Sequence, residues 1–271
     1  MMSSGGTQPV GNLLRDWRRR RHLSQLDLAC EAEISTRHLS FLETGRSSPS
    51  REMVMHLAEQ LEIPLRERNV LLVAAGYAPV FPQRPLDDPA LYAARKAVDL
   101  VLAGHEPYPA LAIDRHWTLV ASNSAATRLL AGVDPSLLQP PVNVLRLSLH
   151  PKGIAPRIAN LTEWRAHLLA RLRRQIEVTA DPILVELMRE LRDYRTSDEA
   201  GSSKPVTDGK YADVIVPFQL VAEGGVLSFI STTTIFGTPV DITLSELAIE
   251  SFFPADAATS QTLRLLAEGQ G

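Results

Sequence analysis

The segment from Leu23 to Glu52, LSQLDLACEAEISTRHLSFLETGRSSPSRE, constrains this chain more than any other stretch. Ser24 is a natural helix N-cap, because its hydroxyl can accept from the free amides of the first turn, and Asp27 completes a capping-box-like arrangement. Leu26, Leu28 and Ala29 supply the apolar positions of a short helix, and Ala29 is small enough to let a second helix approach closely. A second N-cap follows at Ser35, with Leu39 and Leu42 on one face and Ile34 leading in. Gly45 stands where a helix C-terminus favours a left-handed residue. The segment reads as two short helices joined by a tight turn, the second presenting Thr36, Arg37 and Ser40 along one edge. Such an edge fits the major groove of duplex DNA.

These residues resemble the Cro/C1-type (XRE) helix-turn-helix family through Leu23-Ser24-Gln25, Leu28-Ala29, Ile34-Ser35 and Leu39-Ser40-Phe41-Leu42-Glu43-Thr44-Gly45. The likeness covers residues 10 to 65. Glu33 departs from it, since the family usually places Gly in the turn; a non-Gly residue at positive φ costs on the order of 1 kcal/mol. The resemblance implies that Ser24 and Gln25 hold the phosphate backbone while Thr36, Arg37 and Ser40 face the groove. Arg37 is the best single candidate for a base contact, because a guanidinium can bond guanine O6 and N7 together. Phe41 falls on the outward face, where it either touches a thymine methyl or packs on the first helix or a partner subunit. His38 is expected to be half-buried against the preceding helix in preference to reading a base. Arg18 and Glu43 are expected to form the internal ion pair this family uses to tie its helices. The run Arg15, Arg18, Arg19, Arg20, Arg21 offers further phosphate contacts, Arg19 among them, and Arg46 and Arg51 flank the loop after the groove-facing helix. A further helix from Ser50-Arg51-Glu52 closes a five-helix domain through Leu57, Leu61 and Leu65.

A chain of 271 residues has room for two cores. Its net charge of −3 does not argue against nucleic acid, because basic residues outnumber acidic ones between Asn12 and Arg51. The one cysteine, Cys30, excludes an internal disulfide and suits a reducing interior; it is expected to be a small helix-packing residue in preference to a redox switch. No apolar run approaches the ~18–20 residues that span a bilayer, and the polar start MMSSGGTQPVG lacks a signal-peptide core. A cytoplasmic protein with no membrane partner is expected. No Gly-rich phosphate loop, HExxH, GxSxG or paired metal-ligand spacing is present, so neither an enzyme nor a metal or other cofactor is expected.

The Pro-rich run Tyr77–Pro85 favours an extended connection. Asp87-Asp88-Pro89 then opens a helix to about Ala103. Beyond Pro107 the pattern becomes a hairpin around Asp114-Arg115-His116, a helix through Asn123 to Leu130, and two long helices, about Arg157 to Val178 and Asp181 to Tyr194. A polar loop (198–210) precedes strands at Val214 to Leu220, Val226 to Phe236 and Leu247 to Phe253, with a terminal helix after Pro254. The expected architecture is multidomain: an all-α five-helix domain (9–76), a linker with a connecting helix (77–104), and an α+β domain with an antiparallel sheet (105–271).

The order of the later elements resembles a PAS-like sensor. YPALAIDRHWTLVASNSAA, NVLRLSLHPKGI and FGTPVDITLSELAIESFFPAD, together with ISTRHLSFLETGRSSPSRE, resemble the MmyB-like transcription regulator family over nearly the whole chain. That resemblance implies a Cro/C1-type reader joined to a PAS-like ligand-binding domain, with a long apolar effector such as a fatty acid. Arg146, His150, Arg157, Asn160 and Trp164 are the candidate ligand-binding residues, since a carboxylate-bearing ligand needs donors at the pocket mouth. The apolar residues of the sheet either frame such a pocket or simply fill a core. The leading expectation is a homodimeric, sequence-specific regulator of a double-stranded operator that senses a small apolar ligand. The alternative is a DNA-bound scaffold that recruits a protein partner without ligand.

Overall fold

The computed structural model describes residues 8–194, 216–222, 224–237, 239 and 241–269. Two compact units emerge, the first holding the chain up to Arg84 together with Pro239–Ser245, the second holding Pro85–Thr238 and Glu246–Gly271.

Five helices build the first unit: α1 (Val10–Arg20), α2 (Gln25–Glu31), α3 (Thr36–Glu43), α4 (Arg51–Gln60) and α5 (Leu65–Ala74). Ser24, Ser35 and Ser50 each cap the helix that follows by accepting from a first-turn amide. Leu14, Leu28, Leu39, Leu42, Leu57, Leu61 and Leu72 interlock in a core from which water is excluded. The Pro-rich run does not leave this unit at once. Asn69 of α5 donates to the Phe81 carbonyl at 2.7 Å and accepts from the Val80 and Phe81 amides at 2.9 and 3.1 Å.

In the second unit a short 3-10 turn leads into α6 (Tyr92–Gly104), followed by β1 (Ala110–Ile113), β2 (Leu119–Ser122), α7 (Ser124–Leu129), α8 (Val144–Leu149), α9 (Leu161–Thr179), α10 (Pro182–Asp193), β3 (Phe218–Ala222) and β4 (Gly225–Ile235). The chain then visits the first unit, where α11 (Ile242–Ser245) is a single turn, before returning as β5 (Ala248–Pro254) and α12 (Ala257–Glu268). The five strands form one antiparallel sheet in the order β2-β1-β5-β4-β3. Alternation along the strands sorts side chains by face. Ala110, Ala112 and Ile249 pack with Val98 and Leu102 of α6. Phe218, Phe229 and Phe252 gather on the opposite face with Trp164, Leu168 and Leu172 of α9.

The multidomain α then α+β architecture is as expected from sequence, with local differences. Helix α9 starts at Leu161, not near Arg157, because Ile158 and Ala159 pair with β3: the Ala159 amide donates to the Gln219 carbonyl at 2.9 Å. Helix α8 was not anticipated. Val214 and the polar loop 198–210 lie outside the described residues.

Candidate nucleic-acid interface and ligand cavity

Reciprocal bonds fix the start of α2: the Asp27 amide donates to Ser24 Oγ at 3.1 Å, and the Ser24 amide to Asp27 Oδ2 at 2.8 Å. These bonds hold the exposed Asp27 carboxyl below its ordinary pKa. The turn to α3 closes when the Ile34 amide bonds the Ala29 carbonyl at 2.9 Å, which requires Glu33 at φ 53°. That is the left-handed conformation that the resemblance leads one to expect at this turn. Glu33→Gly is therefore expected to stabilise the first unit by about 1 kcal/mol, read as a higher denaturant midpoint at constant slope; an unchanged or lower midpoint would show the turn to be unstrained.

Leu39 and Leu42 anchor the inner face of α3, leaving Thr36 and Arg37 exposed and Ser40 and Phe41 half-buried on the outer one. Two guanidinium groups approach the Phe41 ring, Arg37 at 5.3 Å and Arg46 at 5.8 Å from its centroid. Phe41 thus offers a ring to which two cations are drawn by quadrupole attraction. His38 is half-buried, as expected.

The arginine run of α1 divides by job. Arg18 and Glu43 form the expected buried pair, with Nε–Oε1 at 2.6 Å and Nη2–Oε2 at 2.9 Å. Hydrogen bonding to Glu43 raises the Arg18 pKa above its ordinary value. Gln25 donates to the same carboxylate at 2.8 Å, so part of its amide serves the framework. Arg21 closes the C-terminus of α4 by donating to the Leu61 and Glu62 carbonyls. Arg15 bonds Asn12. Arg19 and Arg20 are exposed, as are Ser24 and Arg46. Cys30 is exposed as well, which corrects its reading as a helix-packing residue: Leu28 and Ala29 occupy the inner face of α2.

The second unit contains an apolar cavity of about 110 Å³ between the sheet and helices α7, α8 and α9. Leu111, Leu119, Leu129, Leu145, Leu147 and Leu168 contribute aliphatic wall, and Trp117, Trp164, Phe218 and Phe252 contribute rings. Its polar atoms come from Ser122, Ser148, Arg171 and Glu250. Glu250 is 4% exposed and lies opposite Leu111 on one side and Thr233 on the other, facing inward among apolar neighbours. Arg171 reaches it with Nη1–Oε2 at 3.2 Å and Nη2–Oε1 at 2.5 Å, and Thr233 Oγ1 donates to Oε1 at 2.9 Å. Trp117 sits at φ 64°, a conformation that costs roughly 1–3 kcal/mol for such a residue. Helix α9 holds it there: Trp117 Nε1 donates to Gln175 at 2.7 Å, and the Arg171 guanidinium stacks 4.9 Å from its ring centroid.

Among the candidate ligand residues, Trp164 lines the cavity and bonds Ser148 Oγ at 3.0 Å. The other four lie outside the cavity lining and hold framework partners. Arg146 forks onto Glu190 at 2.8 and 2.7 Å, and His150 accepts from the Lys152 amide. Arg157 bonds the Leu129 carbonyl, and Asn160 ties the Pro217 carbonyl to the Gln219 amide. Each satisfies a framework group that would otherwise be stranded. Sequence reasoning missed Trp117, Arg171 and Glu250. Alternation carried a signal for the last, because Ala248, Glu250 and Phe252 share one face of β5.

Residues 94–266 match the model of the MmyB-like transcription regulator ligand binding domain, and residues 14–68 match that of a helix-turn-helix family. Nothing among curated proteins matches the chain. The solved structure of an RNA-binding light-oxygen-voltage receptor is similar at 11% identity and a TM-score of 0.25, over 98% of this chain. The chain spans 65% of that receptor chain's length. Among the described residues, no helix is long and apolar enough to cross a membrane.

Proposed function

We propose, because the chain belongs to the MmyB-like transcription regulators, that it recognises a specific duplex operator through α3 and alters that binding when a small apolar molecule fills the cavity of its second unit. The helix-turn-helix and ligand-binding assignments account for DNA binding and for a ligand in general terms. The observation that carries the finer reading is the outer edge of α3, where Arg37 on the helix and Arg46 just beyond its end flank Phe41. A guanidinium held in this way is pre-positioned for a guanine edge or a phosphate at a reduced entropic cost.

In this reading the protein acts as a cytoplasmic homodimer whose two α3 helices engage half-sites roughly 34 Å apart, and its second unit serves as a PAS-like sensor. Fatty acids are the ligand class that the family resemblance suggests, to be tested against the cavity's own chemistry. The effector has to bind one arrangement of the dimer better than another, since equal affinity would shift nothing.

Arg37→Ala is expected to weaken operator binding by about 1–3 kcal/mol and to relax preference at one base position per half-site. Arg19→Ala and Arg46→Ala should instead weaken all duplexes alike and flatten the salt dependence. Binding-site selection with the full chain, repeated for each variant, separates these outcomes. An unchanged consensus for Arg37→Ala would remove it from the groove.

A further inference from the structure

The shape of the cavity and the state of its charges narrow the ligand class, on the reading that the second unit binds a small molecule. Volume comes first. An apolar cavity of ~150 Å³ in another protein accommodates benzene, so the about 110 Å³ found here is on the scale of one ring with a small substituent. A long acyl chain would have to extend beyond it. The four rings of Trp117, Trp164, Phe218 and Phe252 offer edges and faces to an aromatic guest.

Charge comes second. Arg171 is the cation of the cavity lining, and Glu250 already neutralises it through two hydrogen bonds. A ligand carboxylate entering here would lose its hydration, gain no uncompensated cation, and meet the buried charge of Glu250. Acceptor capacity points the opposite way. An ionised carboxylate offers about four acceptor positions; among the described residues Oε1 receives Arg171 and Thr233, whereas Oε2 receives a bond from Arg171 alone. A position on Oε2 remains for a donor.

We propose that the cavity takes a compact, neutral, single-ring aromatic alcohol of the phenol type, its ring among the tryptophans and phenylalanines and its hydroxyl donating to Glu250 Oε2. This class differs from a fatty acid in both size and charge.

The test uses the full chain with phenol and 4-ethylphenol as donors, and benzoate, hexanoate and decanoate as carboxylates. Binding is read by tryptophan fluorescence, since Trp117 and Trp164 line the cavity, and by the shift in thermal midpoint. The phenols are expected to change the fluorescence and raise the midpoint, with carboxylates roughly tenfold weaker or worse. Glu250→Gln should narrow that discrimination by freeing Arg171 for carboxylates. Thr233→Val removes the hydroxyl that bonds both Glu250 and Arg171 but keeps the charge of Glu250 in place, so the preference for phenols should survive it. Tighter binding of decanoate than of either phenol would overturn the assigned class while supporting a ligand-binding unit. Silence from every probe, with DNA binding unaffected by all of them, would count against the ligand-binding reading itself and against this proposal with it.

Discussion

Glu43→Ala is expected to destabilise the first unit by about 3–5 kcal/mol and to abolish specific DNA binding at physiological temperature. The side chain it removes is 1% exposed and receives both arms of the Arg18 fork together with the Gln25 amide. Without it, Arg18 keeps its bond to the Leu23 carbonyl at 2.8 Å, but its charge stays buried with no counter-ion. The cost lies in the charge left behind, more than in any net attraction within the pair. The double variant Arg18→Met/Glu43→Leu should therefore recover most of the loss, since it removes both desolvation penalties. Denaturant unfolding of the wild type, each single variant and the double variant closes the thermodynamic cycle. A Glu43→Ala protein within about 1 kcal/mol of wild type would show that water reaches the pair and screens it.

Gly11→Ala is expected to cost about 3 kcal/mol, at the upper end for overpacking, despite alanine's better helix propensity. A Cβ on Gly11 would stand 2.3 Å from the Leu42 carbonyl oxygen and 2.9 Å from that of Glu43. Both are backbone atoms at the end of α3, so no side chain can swing aside. Relief requires α1 and α3 to separate, which would also shift the edge carrying Arg37. Affinity for the operator should fall along with stability, and the fall should persist at low temperature where the protein is folded. Gly104→Ala provides the control. It lies in α6 with open space around its would-be Cβ, and should be neutral or stabilising by up to ~1 kcal/mol. Equal midpoints for Gly11→Ala and wild type would mean that the helix crossing is looser than its geometry.

The reading half was legible because local rules decide it. Serine caps, a leucine face and a glycine stop act within a few residues of chain, so α2 and α3 could be placed from sequence alone. The left-handed turn at Glu33 and the Arg18–Glu43 pair followed from resemblance, and the structure contains both. The cavity was not legible in the same way. Its walls come from seven elements spread between Pro109 and Phe252, and nothing local marks Arg171 on α9 as the partner of Glu250 on β5. Arg146 and Arg157 looked like ligand donors because a lone basic residue near an apolar stretch invites that reading. Their partners, Glu190 and the Leu129 carbonyl, are distant in sequence and could be found only by folding the chain.

The excursion between β4 and β5 bears on how the two halves can be separated. Asp241, fully buried, receives Arg84 at 3.1 Å, while the Ile242 amide bonds the Pro82 carbonyl and Thr243 Oγ1 bonds that of Arg84. Truncation after residue 84 would delete these partners from the N-terminal piece and bare the surface that Ile242 covers, so a short recombinant reader should be less stable than its helices suggest. The complementary C-terminal piece would carry a seven-residue stretch, Pro239–Ser245, cut off from what it binds. Chimaeras made by exchanging halves between relatives have to match the chain at three seams, after residues 84, 238 and 245, and a splice at the proline-rich run alone would mismatch two of them.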